Sequence, residues 1–135
     1  MADRDTDRVL RFDPASLELR SRVVVGDAPA VLAGGPDVLW VGNLAERTLT
    51  RVDATTAEVT GAPISLGKEI QALARSPHTL WVAAADSTVT PLDPRTGEVL
   101  GPSLQADAAP LALAADGDGV WVASAGEQTI QRLAR

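Results

Sequence analysis

Leu80-Trp81-Val82-Ala83, followed ten residues on by Asp93-Pro94-Arg95-Thr96-Gly97-Glu98, is one turn of a pattern that fills nearly the whole chain. The first element returns as Leu39-Trp40-Val41-Gly42 and as Val120-Trp121-Val122-Ala123, so the tryptophans lie 41 and 40 residues apart. Eight residues upstream of each Trp stands Leu32, Leu73 or Leu113, with Ala33, Ala74 or Ala114 next. The second element is equally regular: Asp13, Asp53 and Asp93 are spaced by 40, and Glu18, Glu58 and Glu98 each follow five residues later. A fixed period in the range of about 20–50 residues marks a tandem array whose units bury their apolar faces on one another.

Each unit resolves into four short β-segments, A to D, separated by turn signals. A is the leucine-alanine segment, B carries the Trp, C ends at the Asp and D begins at the Glu. A and B are apolar on both alternating phases, as in Val38-Leu39-Trp40-Val41, which is the mark of a strand covered on both faces. C and D admit Thr50-Arg51 and Glu18-Leu19-Arg20, so they lie further out. A helical repeat of this length fails, because Gly or Pro interrupts every apolar stretch before it reaches the ~10–14 residues of an average helix. Between C and D, the Asp side chain accepts turn amides and Gly97 supplies a left-handed residue. Leu17 and Ala57 stand in that glycine slot in the other repeats, at a cost of roughly 1–2 kcal/mol, so those two turns are expected to be looser.

Two buried strands followed by two wetter ones, every 40 residues, is the pattern of a β-propeller blade. The residues LWVA at 80–83 with TVTPLDPRTGEVLG at 88–101 resemble the repeat of YVTN-type and NHL-like β-propellers, and all of the chain after residue 7 fits it. The resemblance implies an all-β fold of four-stranded antiparallel blades, about three per chain. It implies a ligand sensor, a protein-binding module or, in some relatives, a lyase. Propellers similar to streptogramin lyases use a catalytic histidine with acidic metal ligands nearby. Here His78 is the single histidine and lies in an A–B turn, so that chemistry finds no matching residue. Related propellers serve as sensor domains of receptor-type kinases.

Composition narrows the classes. With 45% hydrophobic and 22% charged residues the 135-residue chain is ordinary globular material, and its 11 Gly and 9 Pro against 3% aromatics suit short strands and many turns. A formal charge of −6 argues against nucleic-acid and anionic-membrane partners, which need a basic face. The absence of Cys excludes thiol chemistry and Cys-ligated metal. No apolar run approaches the ~20 residues of a membrane span, and no membrane insertion is expected. MADRDTDR lacks a signal-peptide core, so the chain as it stands reads as cytoplasmic, or as an excised extracytoplasmic domain.

The segments order as a polar tail over 1–7, then C and D (8–28), repeat 1 (29–69), repeat 2 (70–109) and an incomplete repeat 3 (110–135) that ends with C. Propellers close with about 4–8 blades. A single copy therefore leaves open sheets, and a second chain is expected to complete the ring to six blades. At each junction A and B would come from one chain's end and D from the other's start, with either copy of C serving. A homodimer is the expected state.

Each candidate site has a counterpart in the corresponding slot of the other repeats. Asp116-Gly117-Asp118-Gly119 hints at a calcium loop, but the same slot elsewhere reads Gly34-Gly35-Pro36-Asp37 and Arg75-Ser76-Pro77-His78, and no closing Glu follows. It reads as a hairpin turn, and His78 as a turn histidine. The tryptophans, in phase on the most buried strand, read as core between sheets. Thr48, Thr88 and Thr129 begin strand C and bond locally. A ligand or partner face is expected where the D–A loops (Asp27, Lys68, Glu69, Asp107) meet the B–C loops (Asn43, Glu46, Arg47, Asp86, Glu127, Gln128). No nucleophile–base pair is legible, and no catalytic residue, cofactor or metal is expected. The function read from the sequence is a non-enzymatic scaffold or binding module for an unspecified protein or small ligand. The alternative is a ligand-sensing piece of a larger extracytoplasmic protein.

Overall fold

A computed structural model describes residues 1–135 and consists of antiparallel sheets without a helix. Two compact units are present, Met1–Leu66 and Gly67–Arg135. In the first, β1 (Ala2–Asp3), β2 (Arg8–Phe12) and β3 (Leu19–Val24) form one sheet in that order. The second sheet of this unit runs β4 (Pro29–Gly34), β5 (Val38–Asn43) and β6 (Thr48–Asp53), with β7 (Glu58–Val59) and β8 (Ile64–Ser65) both paired to β6. In the second unit, β9 (Ile70–Arg75), β10 (Leu80–Ala84), β11 (Thr88–Leu92) and β12 (Leu104–Gln105) form one sheet. The other is β13 (Pro110–Asp116), β14 (Gly119–Ser124) and β15 (Thr129–Ala134).

Segments A to C of the repeat are thus consecutive neighbours in space. Segment D is a single strand in β3 but departs from one in repeats 1 and 2. In repeat 1 it breaks into β7 and β8 around Gly61-Ala62-Pro63, and in repeat 2 it is a lone Leu92–Val99 bridge and then β12, with Gly101-Pro102 between. Proline has no N–H to give the ladder, and these interruptions fall where it stands. Residues 1–7, expected as a tail, contain β1, which pairs Ala2 with Val9 and Asp3 with Arg8. Ala2 and Asp3 stand forty residues before Gly42 and Asn43, the end of the Trp-bearing β5, and repeat that pairing.

Every Trp-bearing sheet has an indole face and a valine face, because successive residues of a strand point to opposite sides. On β9–β12, Trp81 pairs with Ala74 and Ala83 with Ala72, so small residues on one strand make room for the indole on the next. That face packs on Val120 and Val122, backed by Leu113, Ala115 and Leu133. In the first unit Val9 and Val23 pack on Val41 and Val52, with Leu32 and Leu39. Val9 occupies the register of Leu49 and Val89, so both units stack with the same polarity, indole face on valine face.

Trp40 and Trp81 are fully buried, as their phase predicts, but Trp121 is 44% exposed. Contrary to the expectation that all three are core, only two of the indoles are. The indole face of β13–β15 has no sheet over it, and Ile130, on the same face, is 75% exposed.

The three C–D turns share one geometry. The Asp carboxylate accepts two backbone N–H groups: from Ala15 and Ser16 (both 2.9 Å), Thr55 and Thr56 (2.8 and 2.9 Å), and Arg95 and Thr96 (2.7 and 3.0 Å). Each Asp carbonyl accepts the N–H of Leu17, Ala57 or Gly97, at φ of 61°, 58° and 77°. The turns at Leu17 and Ala57 are therefore not looser: three hydrogen bonds hold a side-chain-bearing residue in the left-handed region. Replacing Leu17 or Ala57 by Gly should relieve that strain and raise the unfolding free energy by about 1 kcal/mol each, and Gly97→Ala should lower it by a similar amount. Urea melts of the three variants give the signs directly.

Candidate functional site

The D–A and B–C loops do come together within each repeat, and the means differs from one repeat to the next. In the first unit Gly26 lies so close to the B–C loop that a Cβ there would meet Asn43 Nδ2 at 2.5 Å and Glu46 Oε2 at 2.6 Å. Asn43 is fully buried. Its amide donates to Thr50 Oγ1 (2.7 Å) and Thr48 Oγ1 (3.2 Å), and Thr48 in turn donates to Glu46 (3.3 Å). The Leu44 N–H donates to the Ala28 carbonyl at 2.9 Å, which fastens the loop holding Asp27 to the one holding Arg47.

In the second unit the loops are joined by charge and hydroxyl contacts. Lys68 Nζ lies 2.8 Å from Asp86 Oδ2 and donates to Thr88 Oγ1 at 3.0 Å. These contacts, the Lys68 bond first and the Thr88 hydroxyl next, hold the Asp86 carboxyl below the usual carboxylate range. Glu69 accepts from Gln71 (3.0 Å). Asp107 accepts from Thr129 Oγ1 (2.5 Å), and its own N–H donates to Gln131 (2.7 Å). Glu127 accepts the Ala108 N–H at 3.4 Å, beside Gln128, which has φ of 55°. Thr48 and Thr88 bond locally, to Glu46 and Asp86, whereas Thr129, expected to do the same, reaches across to Asp107 on the D–A loop. Much of the polar capacity of these loops is turned on the loops themselves.

The three C–D turns also shift their aspartates. Asp13 is drawn down to about 2, chiefly by the Ser16 N–H and then by Arg20 (2.9 Å) and the Ala15 N–H. Asp53 and Asp93 are lowered by the same paired N–H donors. A depressed carboxyl stabilises the fold above its unfolded value and loses that effect as pH falls through its folded value. Stability should therefore be flat above about pH 5 and fall as pH drops from the ordinary 3.8 toward about 2, tracked by the urea midpoint. Asp13→Asn should reduce that acid dependence.

The Asp116–Gly119 stretch closes the β13–β14 hairpin, with Asp116 paired to Gly119 and Gly117 at φ of 56°. The Asp116 carboxylate accepts from Arg132 Nε (2.8 Å) and Trp121 Nε1 (3.0 Å). His78 is exposed in the β9–β10 turn, where its N–H meets Ser76 Oγ at 3.4 Å. No group of three or more His, Asp or Glu side chains is arranged to hold a metal. No helix is long and apolar enough to cross a membrane.

A space with no signature in the repeat lies between the two sheets of the first unit. It measures about 460 Å³ and is lined mainly by Val9, Val23, Leu32, Leu39 and Val52, with Arg11 at its edge donating to the Ala54 carbonyl (2.9 Å).

No protein-family model and no curated protein matches the chain. Solved structures do. Hydrazine synthase of Kuenenia stuttgartiensis is 18% identical at a TM-score of 0.82, over 97% of this chain and 41% of that one. BamB from Moraxella catarrhalis is 11% identical at 0.74, over 96% and 38%. A catalytically inactive virginiamycin B lyase from Staphylococcus aureus, solved with quinupristin, is 16% identical at 0.78, over 97% and 46%. All three are β-propeller proteins. The fold is that of a β-propeller. At these identities the likeness speaks for the fold alone, and the chain spans less than half the length of each of these structures.

Proposed function

We propose that the chain is a non-enzymatic β-propeller module, a scaffold or binding platform that works as a closed ring of two copies. The observation that carries this reading is the bare indole face of β13–β15. Its counterpart on β9–β12 is covered by a neighbouring sheet and buries Trp81 completely, whereas Trp121 and Ile130 remain in water. An apolar sheet face of this kind associates or aggregates unless another sheet covers it. The covering sheet belongs to a second copy, and two chains related by a twofold axis close without leaving a free end. A protein or small ligand would then bind at the loop end of the first unit carrying Asp27, Glu46 and Arg47, where the Leu44–Ala28 backbone bond and the Asn43–Thr48 contact fix the loops.

Size exclusion with light scattering tests the assembly, with twice the 14.0 kDa chain mass as the expected result. A monodisperse, folded species of 14.0 kDa would overturn it. A second reading is favoured by the chain's span of less than half of its structural neighbours: a ligand-sensing segment of a longer propeller, whose further sheets in the same polypeptide would cover Trp121.

A further inference from the structure

We propose that the cavity of the first unit is the receptor for Trp121 of a second copy, which enters by strand exchange onto β2. The proposal rests on the two-copy ring above and specifies its junction.

The repeat accounts for the position of the cavity. Each Trp stands opposite a fixed residue of the next strand: Trp40 opposite Arg51, Trp81 opposite Pro91, and Trp121 opposite Arg132. Arg11, forty residues before Arg51, holds that register on β2. On the β1 side Met1 exchanges two 2.8 Å bonds with Leu10, the residue beside Arg11. About 460 Å³ of mainly apolar space lies over Val9 and Val23, on the side where the register of Arg11 would set an indole. An apolar cavity of about 150 Å³ already accepts benzene, so an indole is well within its capacity.

The other half of the match is Trp121, the one exposed indole of the three. In the exchange, the β13–β14 hairpin of the partner takes the edge of β2 now held by β1. Trp121 then faces Arg11, β2 serves as the third strand, and β3 supplies the fourth. β15 is released, and β14 gains in β2 a strand to replace it. Charge is conserved in the trade: Asp116 now accepts from Arg132 at 2.8 Å, and Arg11 brings a guanidinium to the same register.

The test uses the full chain, Trp121→Ala and the cavity-filling Val23→Phe, followed by light scattering, far-UV circular dichroism and acrylamide quenching of Trp fluorescence. The full chain should be a dimer with all indoles shielded. Each variant should keep its β-sheet spectrum and dimerise about thirtyfold more weakly or worse, the scale of losing an aromatic hot spot. Mixing the two variants should restore dimer, because each supplies the part the other lacks at one junction, and a merely misfolded variant would give no such rescue. A dimer unchanged by either substitution, with one indole per chain open to the quencher, would overturn this junction and leave the two-copy ring standing. So would loss in Trp121→Ala alone, or failure of the mixture. A chain of 14.0 kDa at every concentration would overturn both.

Discussion

Replacing Trp81 by Ala should lower the unfolding free energy by about 3–5 kcal/mol, the usual cost of emptying a large aromatic site in a core. Trp81 is fully buried, and the residues that enclose it are small or β-branched: Ala72, Ala74, Ala83, Val120 and Val122. They lie on strands whose spacing the hydrogen-bond ladder fixes, so the surroundings have little freedom to collapse into the void. Trp40, equally buried in the first unit, should cost a similar amount. Denaturant melts with a shift under about 1 kcal/mol would place the indole in water and break the assignment of the two faces.

The second large effect is expected at Gly26. A methyl group there would lie 2.5 Å from Asn43 Nδ2 and 2.6 Å from Glu46 Oε2. Asn43 has no room to yield, because it is fully buried and its amide is already committed to Thr48 and Thr50. Gly26→Ala should destabilise by about 1–3 kcal/mol, as overpacking of a tight site does. Ala at Gly101, where an added Cβ meets nothing within 4 Å, is the control and should be near neutral. Equal effects at the two positions would remove the steric explanation.

The repeat carried most of the architecture because each of its signals has a local cause. The aspartate of each C–D turn binds amides two and three residues away, which is legible in any sequence that keeps the Asp at the end of strand C. The alternation of Trp40 and Trp81 with valine likewise follows from the two-residue period of a strand. What escaped depended on neighbours distant in sequence. Trp121 has the same local signature as Trp81, and only the lack of a covering sheet separates them. The break of segment D at Gly61-Ala62-Pro63 has its signal in the proline, which the 40-residue period by itself does not reveal.

The loop residues show the same division. That the D–A and B–C loops meet was legible from strand order. That Lys68 is taken up by Asp86, and Asp107 by Thr129, was not, because such pairs form across 18 and 22 residues. Asn43, expected in a B–C loop, ends β5 with its side chain turned in. The threonines at positions 48 and 50 and the glycine at 26 were the available clue, since a buried amide needs hydroxyl partners and close backbone around it.

The broken outer strands bear on how this protein avoids fibres. β7, β8 and β12 are each two residues long, and Pro63 or Pro102 interrupts the chain beside them. A foreign strand seeking to add at these edges finds too few free N–H and C=O groups in line to form a ladder. β3 and β15, each six residues, are the continuous outer strands, and on β3 Arg20 and Arg22 are exposed. Lateral growth by amyloid-like stacking is therefore discouraged by backbone at the β7–β8 edge and at β12, and by cationic repulsion at β3.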